Sequence, residues 1–315
     1  MAGILVVGIA VVDAIARPVD AMPAPGGLRF FDDLTMTTGG CAVNCAIALS
    51  RIGVECDIVA RVGRDPLGDF VVSELERGGV STRHIVRDAD RSTSFSFVAV
   101  PANGERAFLH TTGANATLAP GDIPASLLSN TRLVFVAGTM LMDSLDGTPT
   151  AELLAGARAA GARTMLDTVY VEGRTRDQWR RRVEPALERL DYFVPSRAEA
   201  AALAGTDDVR DAAAMFRDAG ARNVVIKLGA EGAACLDEHG SYTLVRAFRA
   251  DRVVDATGAG DCWSAGFLAG LEQGLAPVDA VRLGNAVACV SVQSAGATTG
   301  IRSMEQVMQV MQAGG

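Results

Sequence analysis

A seven-residue stretch in the last third of the chain combines residue types that could perform acid–base chemistry on a phosphate: Asp255-Ala256-Thr257-Gly258-Ala259-Gly260-Asp261. The apolar stretch Cys262–Leu271 that follows is typical of a buried helix. A turn of small residues that opens a helix leaves backbone N–H groups pointing at one place, at the positive end of the helix dipole. An aspartate there is badly placed to bind phosphate, but it can accept a proton from a hydroxyl group that attacks the phosphate. The stretch therefore predicts an anion hole with Asp261 as general base.

The alternative is an ordinary tight turn in which Asp261 caps the helix. For Gly-Ala-Gly-Asp alone the two interpretations are equally good, and the longer stretch favours the chemical one. Two other phosphate-binding patterns are missing from the sequence. It has no GxxxxGK[ST] loop, and Gly8-Ile9-Ala10 cannot serve as a dinucleotide fingerprint. These absences argue against a P-loop enzyme and against a Rossmann dehydrogenase.

Lys227 is the only lysine in the chain, since every other basic residue is an arginine apart from three histidines. A codon bias would explain the arginines, but lysine is a compact point charge that arginine does not replace freely at a phosphate. It stands at the end of an apolar strand, where side chains reach the crevice that binds ligands in α/β proteins. An ammonium group there could neutralise a phosphate oxygen. Pairing with Glu231 or Glu199, or exposure to water, remains the alternative.

The composition excludes several classes of protein. The 29 basic and 37 acidic residues give a net charge of −8, which disfavours nucleic acid and anionic membranes as partners. Six cysteines without a CxxC pair, and histidines that stand alone, argue against zinc, disulfides and triad chemistry. The apolar opening up to Ala16 lacks a basic leader and is interrupted by Asp13, and no stretch reaches the ~18–20 apolar residues of a membrane span. We expect a soluble cytoplasmic protein.

Apolar runs and helical periods alternate along most of the chain. The expected strands are Ile4–Ile9, Asp57–Val62, Leu133–Ala137, Thr164–Asp167, Tyr192–Val194, Asn223–Leu228 and Arg252–Val254. The expected helices include Ala42–Ile52, Gly68–Gly79, Thr148–Ala160 and Asp208–Ala219. This alternation predicts an α/β fold with a doubly wound, mostly parallel sheet and helices on both of its faces.

Two segments break this alternation. Residues 13–38 contain prolines and glycines without a helical period, and residues 92–112 read as a hairpin around Asn103-Gly104. We expect these segments to form a small β lid, and residues 1–12, 39–91 and 113–315 to form the α/β core. A lid of this kind excludes water from phosphoryl transfer. Its outer face should bury against a second copy of the chain, giving a homodimer.

The chain resembles the ribokinase-like, or PfkB-type, carbohydrate kinases over essentially its whole length. The Asp-x-Thr-Gly-Ala-Gly-Asp stretch carries the resemblance, together with Gly39-Gly40-Cys41-Ala42-Val43-Asn44-Cys45-Ala46. Three further matching stretches are Arg61–Gly68, Gly113–Ala116 and Lys227–Gly232. The resemblance implies transfer of the ATP γ-phosphate to a hydroxymethyl group of a sugar-like molecule, with Mg²⁺ as cofactor.

The resemblance also implies a role for each matching residue. Asp261 would be the base, and the anion hole would be formed by Gly258, Ala259 and Gly260. The acceptor would be bound by Asp13, Gly39, Gly40 and Asn44. The nucleotide would be held by Lys227, Gly229, Gly232, Ser196 and Asn285, and Glu199 would organise Mg²⁺ through water. Ser196 stands where the family has asparagine, and Ser-x-x-Glu is also a helix capping box. Some members bind K⁺, for which the matching positions are Asp255, Thr257, Ser291, Ser294, Gly296 and Gly300.

The acceptor itself stays open at this level. A nucleoside would stack on aromatic rings, for which the candidates are Phe30, Phe31, Phe95, Phe97 and Phe108. An acidic sugar or a sugar phosphate would need an arginine, for which the candidates are Arg29, Arg106 and Arg174. A catalytically silent binding protein on the same fold is the alternative from another class.

Overall fold

The core of the protein is a nine-stranded sheet. A computed structural model of the chain describes residues 3–102 and 106–314. The strands of this sheet are β1 (Ile4–Gly8), β4 (Cys56–Gly63), β5 (Ile85–Asp88), β8 (Leu133–Thr139), β9 (Arg163–Thr168), β10 (Tyr192–Phe193), β11 (Asn223–Lys227), β12 (Ala233–Leu236) and β13 (Tyr242–Val245). Their order is β13-β12-β11-β10-β9-β8-β1-β4-β5. Strand β12 pairs antiparallel with both β11 and β13, and the other pairings are parallel.

Helices cover both faces of this sheet. They are α1 (Cys41–Arg51), α2 (Pro66–Arg77), α3 (Ala125–Leu128), α4 (Thr148–Ala159), α5 (Arg176–Leu187), α6 (Arg197–Ala204), α7 (Val209–Asp218), α8 (Ala259–Glu272), α9 (Pro277–Ser291) and α10 (Met304–Ala313). One apolar cluster joins the sheet to α1, α2, α8 and α9, and a second joins it to α4, α5, α6 and α7. The central strands are buried on both sides. Every residue of β1 and β8 is buried, and all of them are apolar except the glycines and Thr139. The predicted doubly wound α/β fold is confirmed.

A second sheet of four strands stands apart from the first. It consists of β2 (Val11–Arg17), β3 (Asp33–Gly39), β6 (Phe95–Ala99) and β7 (Ala107–Thr111), in the order β3-β2-β6-β7. These strands come from the two segments that break the helical pattern. The first segment of the predicted lid covers residues 13–38. Strand β2 begins two residues before this segment, at Val11, and β3 ends one residue after it, at Gly39. The Asn103-Gly104 turn of the predicted hairpin lies outside the described residues, and its flanking strands β6 and β7 pair antiparallel.

Most element boundaries agree with the sequence prediction, but one predicted strand is wrong. Four of the five predicted helices and the first six predicted strands lie within two residues of the observed ones. The fifth predicted helix, Cys262–Leu271, lies inside α8, which begins three residues earlier. Residues Arg252–Val254, however, form no strand. Val253 and Val254 are 67% and 39% exposed, and the N–H of Val254 donates to the carbonyl of Val292 instead of a neighbouring strand. Three residues with suitable side chains do not make a strand when no sheet edge lies beside them.

None of the helices in the described residues is long and apolar enough to cross a membrane. The parallel strands place their carboxyl ends at one edge of the sheet, which is the edge where α/β proteins bind ligands. Strands β1, β8, β9, β10 and β11 all end there.

Candidate active site

The turn before helix α8 presents a backbone N–H group to the sheet edge. Gly258 caps the helix with φ 69°, and a Cβ at this position would lie 2.5 Å from that of Ala297. The N–H of Ala259 is used inside the turn, where it donates to the carbonyl of Ala256 at 3.2 Å. The N–H of Gly260 has no hydrogen-bond acceptor among the described residues. That group therefore remains for a ligand, at the positive end of a helix of 14 residues.

Asp261 lies in the first turn of α8 and does not cap it, because Gly258 occupies the cap position. The amide nitrogen of Asn44 donates to its Oδ2 at 2.7 Å. Burial and the negative charge of Asp167 raise the pKa of Asp261 to about 6, against the opposing effects of Asn44 and Lys227. A carboxyl group with this pKa is ionised at neutral pH and is a stronger base than a free aspartate.

Asn44 comes from the helix on the other side of the site. It lies in α1, whose cap Gly40 has φ 92°, and a Cβ on Gly40 would lie 2.5 Å from the carbonyl oxygen of Ile9. The side-chain oxygen of Asn44 is buried and has no partner among the described residues. Because an unpaired buried acceptor is costly, this oxygen is suited to accept a hydrogen bond from a ligand.

Lys227 lies against the α8 turn, as expected for a phosphate contact. A Cβ on Gly260 would lie 3.5 Å from its amine, and that amine lies 3.3 Å from Oδ2 of Asp167. Burial alone would lower the pKa of Lys227, but the charges of Asp167, Glu199 and Asp261 raise it to about 12. The amine is therefore a permanent positive charge. Its partner is Asp167, which differs from the predicted alternative partners Glu231 and Glu199.

Glu199 and Ser196 form the capping box that their spacing predicted. The N–H of Ser196 donates to Oε2 of Glu199 at 2.7 Å, and the N–H of Glu199 donates to the hydroxyl of Ser196 at 3.5 Å. Thr168 at the end of β9 also donates to Oε2 of Glu199, at 3.1 Å. Burial raises the pKa of Glu199, while Lys227 nearby opposes this effect. The glutamate is thus fixed at the same sheet edge as Asp167 and Lys227.

A cavity of about 520 Å³ opens beside Lys227 and Gly260. Gly229 and Gly232 line it on one side, and its walls are mainly apolar, with Phe248, Val253, Trp263 and Val292 among them. Asn285 also lines the cavity, but all of its polar atoms are used within the protein. Its oxygen accepts from Nε1 of Trp263 at 2.9 Å, and its nitrogen donates to the carbonyls of Val245 and Arg246. Asn285 therefore helps to shape this cavity but presents no unpaired hydrogen-bonding atom to it.

The lid contributes a polar row near Gly39, which consists of Asp13, Ser96 and His110 on neighbouring strands. Asp13 lies within β2, the strand that follows β1, and a Cβ on Gly39 would collide with its carboxylate. Asp13 pairs across the strands with Ser96, which in turn pairs with His110. The Ser96 hydroxyl lies 3.1 Å from Nδ1 of His110. Burial raises the pKa of Asp13, against the hydrogen bond from Ser96, and burial lowers the pKa of His110.

The six positions that the resemblance assigned to K⁺ lie close together. The N–H groups of Thr257 and Gly296 donate to the Asp255 carboxylate at 2.8 and 3.0 Å. Ser294 donates its N–H to the carbonyl of Ser291 at 3.4 Å, and Gly300 packs against the carbonyls of Val290 and Ser291. The same carboxylate of Asp255 also accepts a hydrogen bond from Arg106 of the lid, at 2.7 Å.

The residues considered for acceptor specificity fall in different environments. Of the arginines, Arg29 is exposed, Arg106 pairs with Asp255, and Arg174 donates to the carbonyl of Met140 at 3.4 Å. The side chains of the five phenylalanines form no aromatic pair with one another in the described part of the chain. Phe95 packs against the core, and Phe30 is 86% exposed.

Sequence reasoning missed three residues of this site. Asp167 holds Lys227 and also accepts the N–H of Gly138 at 3.1 Å. Cys41 places its sulfur within 4.8 Å of the carboxylate oxygens of Asp167 and Asp261. His110 continues the polar row from Asp13. For Asp167 a signal existed, because it is a carboxylate at the end of a buried strand, and such strands end at the binding edge.

Comparisons with known proteins agree with this geometry. Residues 1–304 match the pfkB family of carbohydrate kinases. A protein of Archaeoglobus fulgidus named as an uncharacterized sugar kinase is 30% identical over 262 residues, which cover 81% of this chain and 98% of that protein. The 2-dehydro-3-deoxygluconokinase of Bacillus subtilis is 28% identical over 294 residues, 91% of this chain and 90% of that protein.

Among solved structures, the ribokinase of Thermotoga maritima superimposes with a TM-score of 0.85 at 26% identity, covering 99% of this chain and 100% of that one. The nine-stranded sheet and the glycine turn before α8 thus occur in a chain that matches sugar kinases over nearly its whole length. The chain belongs to the pfkB family of carbohydrate kinases.

Proposed function

We propose that this carbohydrate kinase transfers the γ-phosphate of ATP to a hydroxymethyl group of a monosaccharide or a closely related small polyol. The observation that carries the proposal is the position of Asp261. Its carboxylate lies in the first turn of α8, accepts a hydrogen bond from the Asn44 amide of α1, and follows directly after Gly260, which lines the apolar cavity beside Lys227. A base in that position can serve a hydroxyl group on one side and a phosphate on the other.

In the proposed reaction, ATP occupies the 520 Å³ cavity with its phosphates towards Gly260 and Lys227. The acceptor hydroxyl gives its proton to Asp261 as its oxygen bonds to the γ-phosphorus, and the bond from that phosphorus to the bridging oxygen breaks to release ADP. The N–H of Gly260 and the amine of Lys227 stabilise the charge on the transferred group. Both are fixed before the substrate arrives, so little reorganisation opposes the reaction.

Mg²⁺ would neutralise phosphate charge, and the carboxylates at this edge fit it, because it prefers oxygen ligands and keeps several of its waters. Glu199 and Asp167 are the acids available, and both are already anchored by protein hydrogen bonds. We propose that Glu199 orients water of the ion rather than binding it directly. The hydroxyl oxygen of Ser196 accepts a hydrogen bond that caps α6. Its proposed contact with the nucleotide would therefore use the O–H of this hydroxyl as a donor.

The acceptor would lie against the lid, beside Asp13, Gly39, Gly40 and the unpaired oxygen of Asn44. Two hydrogen-bond acceptors, the Asp13 carboxylate and the Asn44 oxygen, suit a molecule rich in hydroxyl donors. The relatives are named as kinases of ribose and of 2-dehydro-3-deoxygluconate. A neutral polyol or sugar fits the two acceptors better than an anion does, because Asp13 is itself a carboxylate.

We also propose that the chain works as a homodimer in the cytoplasm. All six cysteines carry free thiols, as in a reducing compartment. On one face of the lid sheet, Met36, Ala14, Phe97 and Leu109 form a cross-strand row, with Leu34 beside it. Leu34, Met36 and Leu109 are 52%, 43% and 59% exposed. A second copy of the lid would cover this apolar face. A single monomeric species in light scattering at micromolar concentration would count against the dimer.

The test of the reaction begins with a thermal-shift panel of sugars, polyols and nucleosides, with and without a non-hydrolysable ATP analogue, because ligands of the native state raise its stability. ADP formation is then measured with the acceptor that this panel identifies. Asp261→Asn should lower kcat by at least ~10²-fold while the ATP analogue still raises Tm. Asp279→Asn, which removes an exposed carboxylate from the first turn of α9, is the matched control.

A variant Asp261→Asn that keeps more than about a third of the kcat of the unmodified enzyme, with chemistry rate-limiting, would refute the assignment of the base. If no panel compound is phosphorylated while the ATP analogue and a sugar both bind, the chain is a silent binding protein. A preference for nucleosides over sugars would favour the nucleoside kinase alternative.

A further inference from the structure

Protein groups engage both oxygens of the Asp255 carboxylate. Oδ1 accepts hydrogen bonds from the N–H of Thr257 and the guanidinium of Arg106, and Oδ2 accepts one from the N–H of Gly296. Its side chain is only 3% exposed. An additional cation at this carboxylate would lie beside the guanidinium and would be repelled by it.

The charge at this point is also balanced. Arg106 and Asp255 form an ion pair at 2.7 Å between residues 149 positions apart, one in the lid next to β7 and one before the α8 turn. The guanidinium supplies the positive charge beside the Asp255 carboxylate that the resemblance implied for K⁺. The Asp255 carboxylate therefore does not fit K⁺ in this chain.

We infer that the Arg106 guanidinium takes the place of a monovalent cation at Asp255, so that the enzyme needs no K⁺ and its anion-hole turn is completed by the lid. The inference concerns the site of the proposed kinase reaction and rests on that function only for its effect on turnover. Arg106 acts as a positioning residue, since it contacts Asp255 and not the transferred group.

The Asp255 carboxylate affects the N–H of Gly260 by fixing the turn before α8. Asp255 fixes the N–H groups of Thr257 and Gly296, and the latter precedes Ala297, against which Gly258 packs. If the guanidinium is removed, a buried carboxylate loses its counter-charge, which is costly. The turn that places the N–H of Gly260 then loses its anchor. A cation that re-enters the site would restore it.

The experiment measures affinity for a non-hydrolysable ATP analogue with Mg²⁺ by calorimetry, in KCl and in tetramethylammonium chloride at equal ionic strength. The unmodified protein should bind equally, within about twofold, in both salts. Arg106→Gln should bind at least about fivefold more weakly in tetramethylammonium chloride, the scale expected when a buried charge loses its partner. KCl or methylguanidinium should restore most of that loss. Arg17→Gln, which removes the same charge from an exposed lid position at the end of β2, should behave like the unmodified protein.

Activation of the unmodified protein by K⁺, or an Arg106→Gln variant whose affinity is normal or is not restored by any cation, would overturn the inference. Thermal unfolding in both salts checks that the variant is folded. Because analogue binding needs no acceptor, these outcomes do not depend on finding the substrate. Where the acceptor is known, ADP is detected directly, since a coupling enzyme could itself respond to K⁺. Failure of the proposed kinase reaction would instead appear as absent ADP formation with the salt pattern intact.

Discussion

The pH dependence of phosphoryl transfer should report the ionisation of Asp261 and the hydrogen bond that Asn44 donates to it at 2.7 Å. The base must be ionised to accept a proton. Activity should therefore fall as pH drops through the pKa of about 6 that burial and Asp167 produce. Replacing Asn44 by alanine removes a donor that favours the ionised form, so the pKa should rise.

The expected size of this effect follows from the strength of the bond. A hydrogen bond to a charged group contributes about 1.5–3 kcal/mol, and water that enters the space returns part of it, so we expect a rise of about one pKa unit, or ~1.4 kcal/mol. With a pKa of about 6 in the unmodified enzyme and about 7 in the variant, roughly half and a tenth of the molecules are active at pH 6. Nearly all are active at about pH 8.5 in both proteins.

The assay is kcat/KM for the acceptor at saturating ATP and excess Mg²⁺, measured from about pH 5.5 to 8.5. The ratio of the unmodified enzyme to Asn44→Ala should be about five times larger at pH 6 than at pH 8.5. Any pH-independent loss, such as a lost acceptor contact, cancels in that comparison. Asn130→Ala, an exposed asparagine after α3, should give a flat ratio. A pH-independent ratio for Asn44→Ala, or no ionisation near pH 6 in the unmodified enzyme, would refute the reasoning.

Three further outcomes are expected. Lys227→Met should raise the KM for ATP severalfold and leave that for the acceptor nearly unchanged, because the amine lies beside Gly260 at the cavity proposed to bind ATP. An unaltered KM for ATP would contradict this. His110→Phe should raise the KM for the acceptor more than it lowers kcat, since Ser96, which lies beside Asp13, loses its contact with His110. If the variant and the unmodified enzyme have equal KM and kcat in steady-state assays, the polar row does not position the acceptor. Leu109→Glu should convert a dimer to monomer in light scattering, because it places a charge on the apolar lid face, and an unchanged mass would remove that face as the interface.

Local patterns in the sequence were enough for the fold and for proposing the centre of the candidate site. Buried apolar runs such as β1 and β8 report a parallel sheet, since both faces of each strand are covered. The glycine turn and Asp261 are contiguous, so their proximity is set by the chain itself. Lys227 could be placed because the end of a strand in a parallel sheet fixes which edge its side chain approaches. Arg252–Val254 shows the limit, because strand propensity has no effect where no neighbouring strand offers hydrogen bonds.

The partners of these residues were decided only by the tertiary structure. Asn44 and Asp261 are 217 residues apart, Lys227 and Asp167 are 60 apart, and Arg106 and Asp255 are 149 apart. The first pair is formed where α1 packs against α8, the second by the order of strands in the sheet, and the third by the way the lid lies on the core. None of these leaves a periodic signal in the sequence. The sequence alone thus determined which groups could do chemistry here. The packing of distant elements determined the charges around them, and therefore their pKa values and their partners.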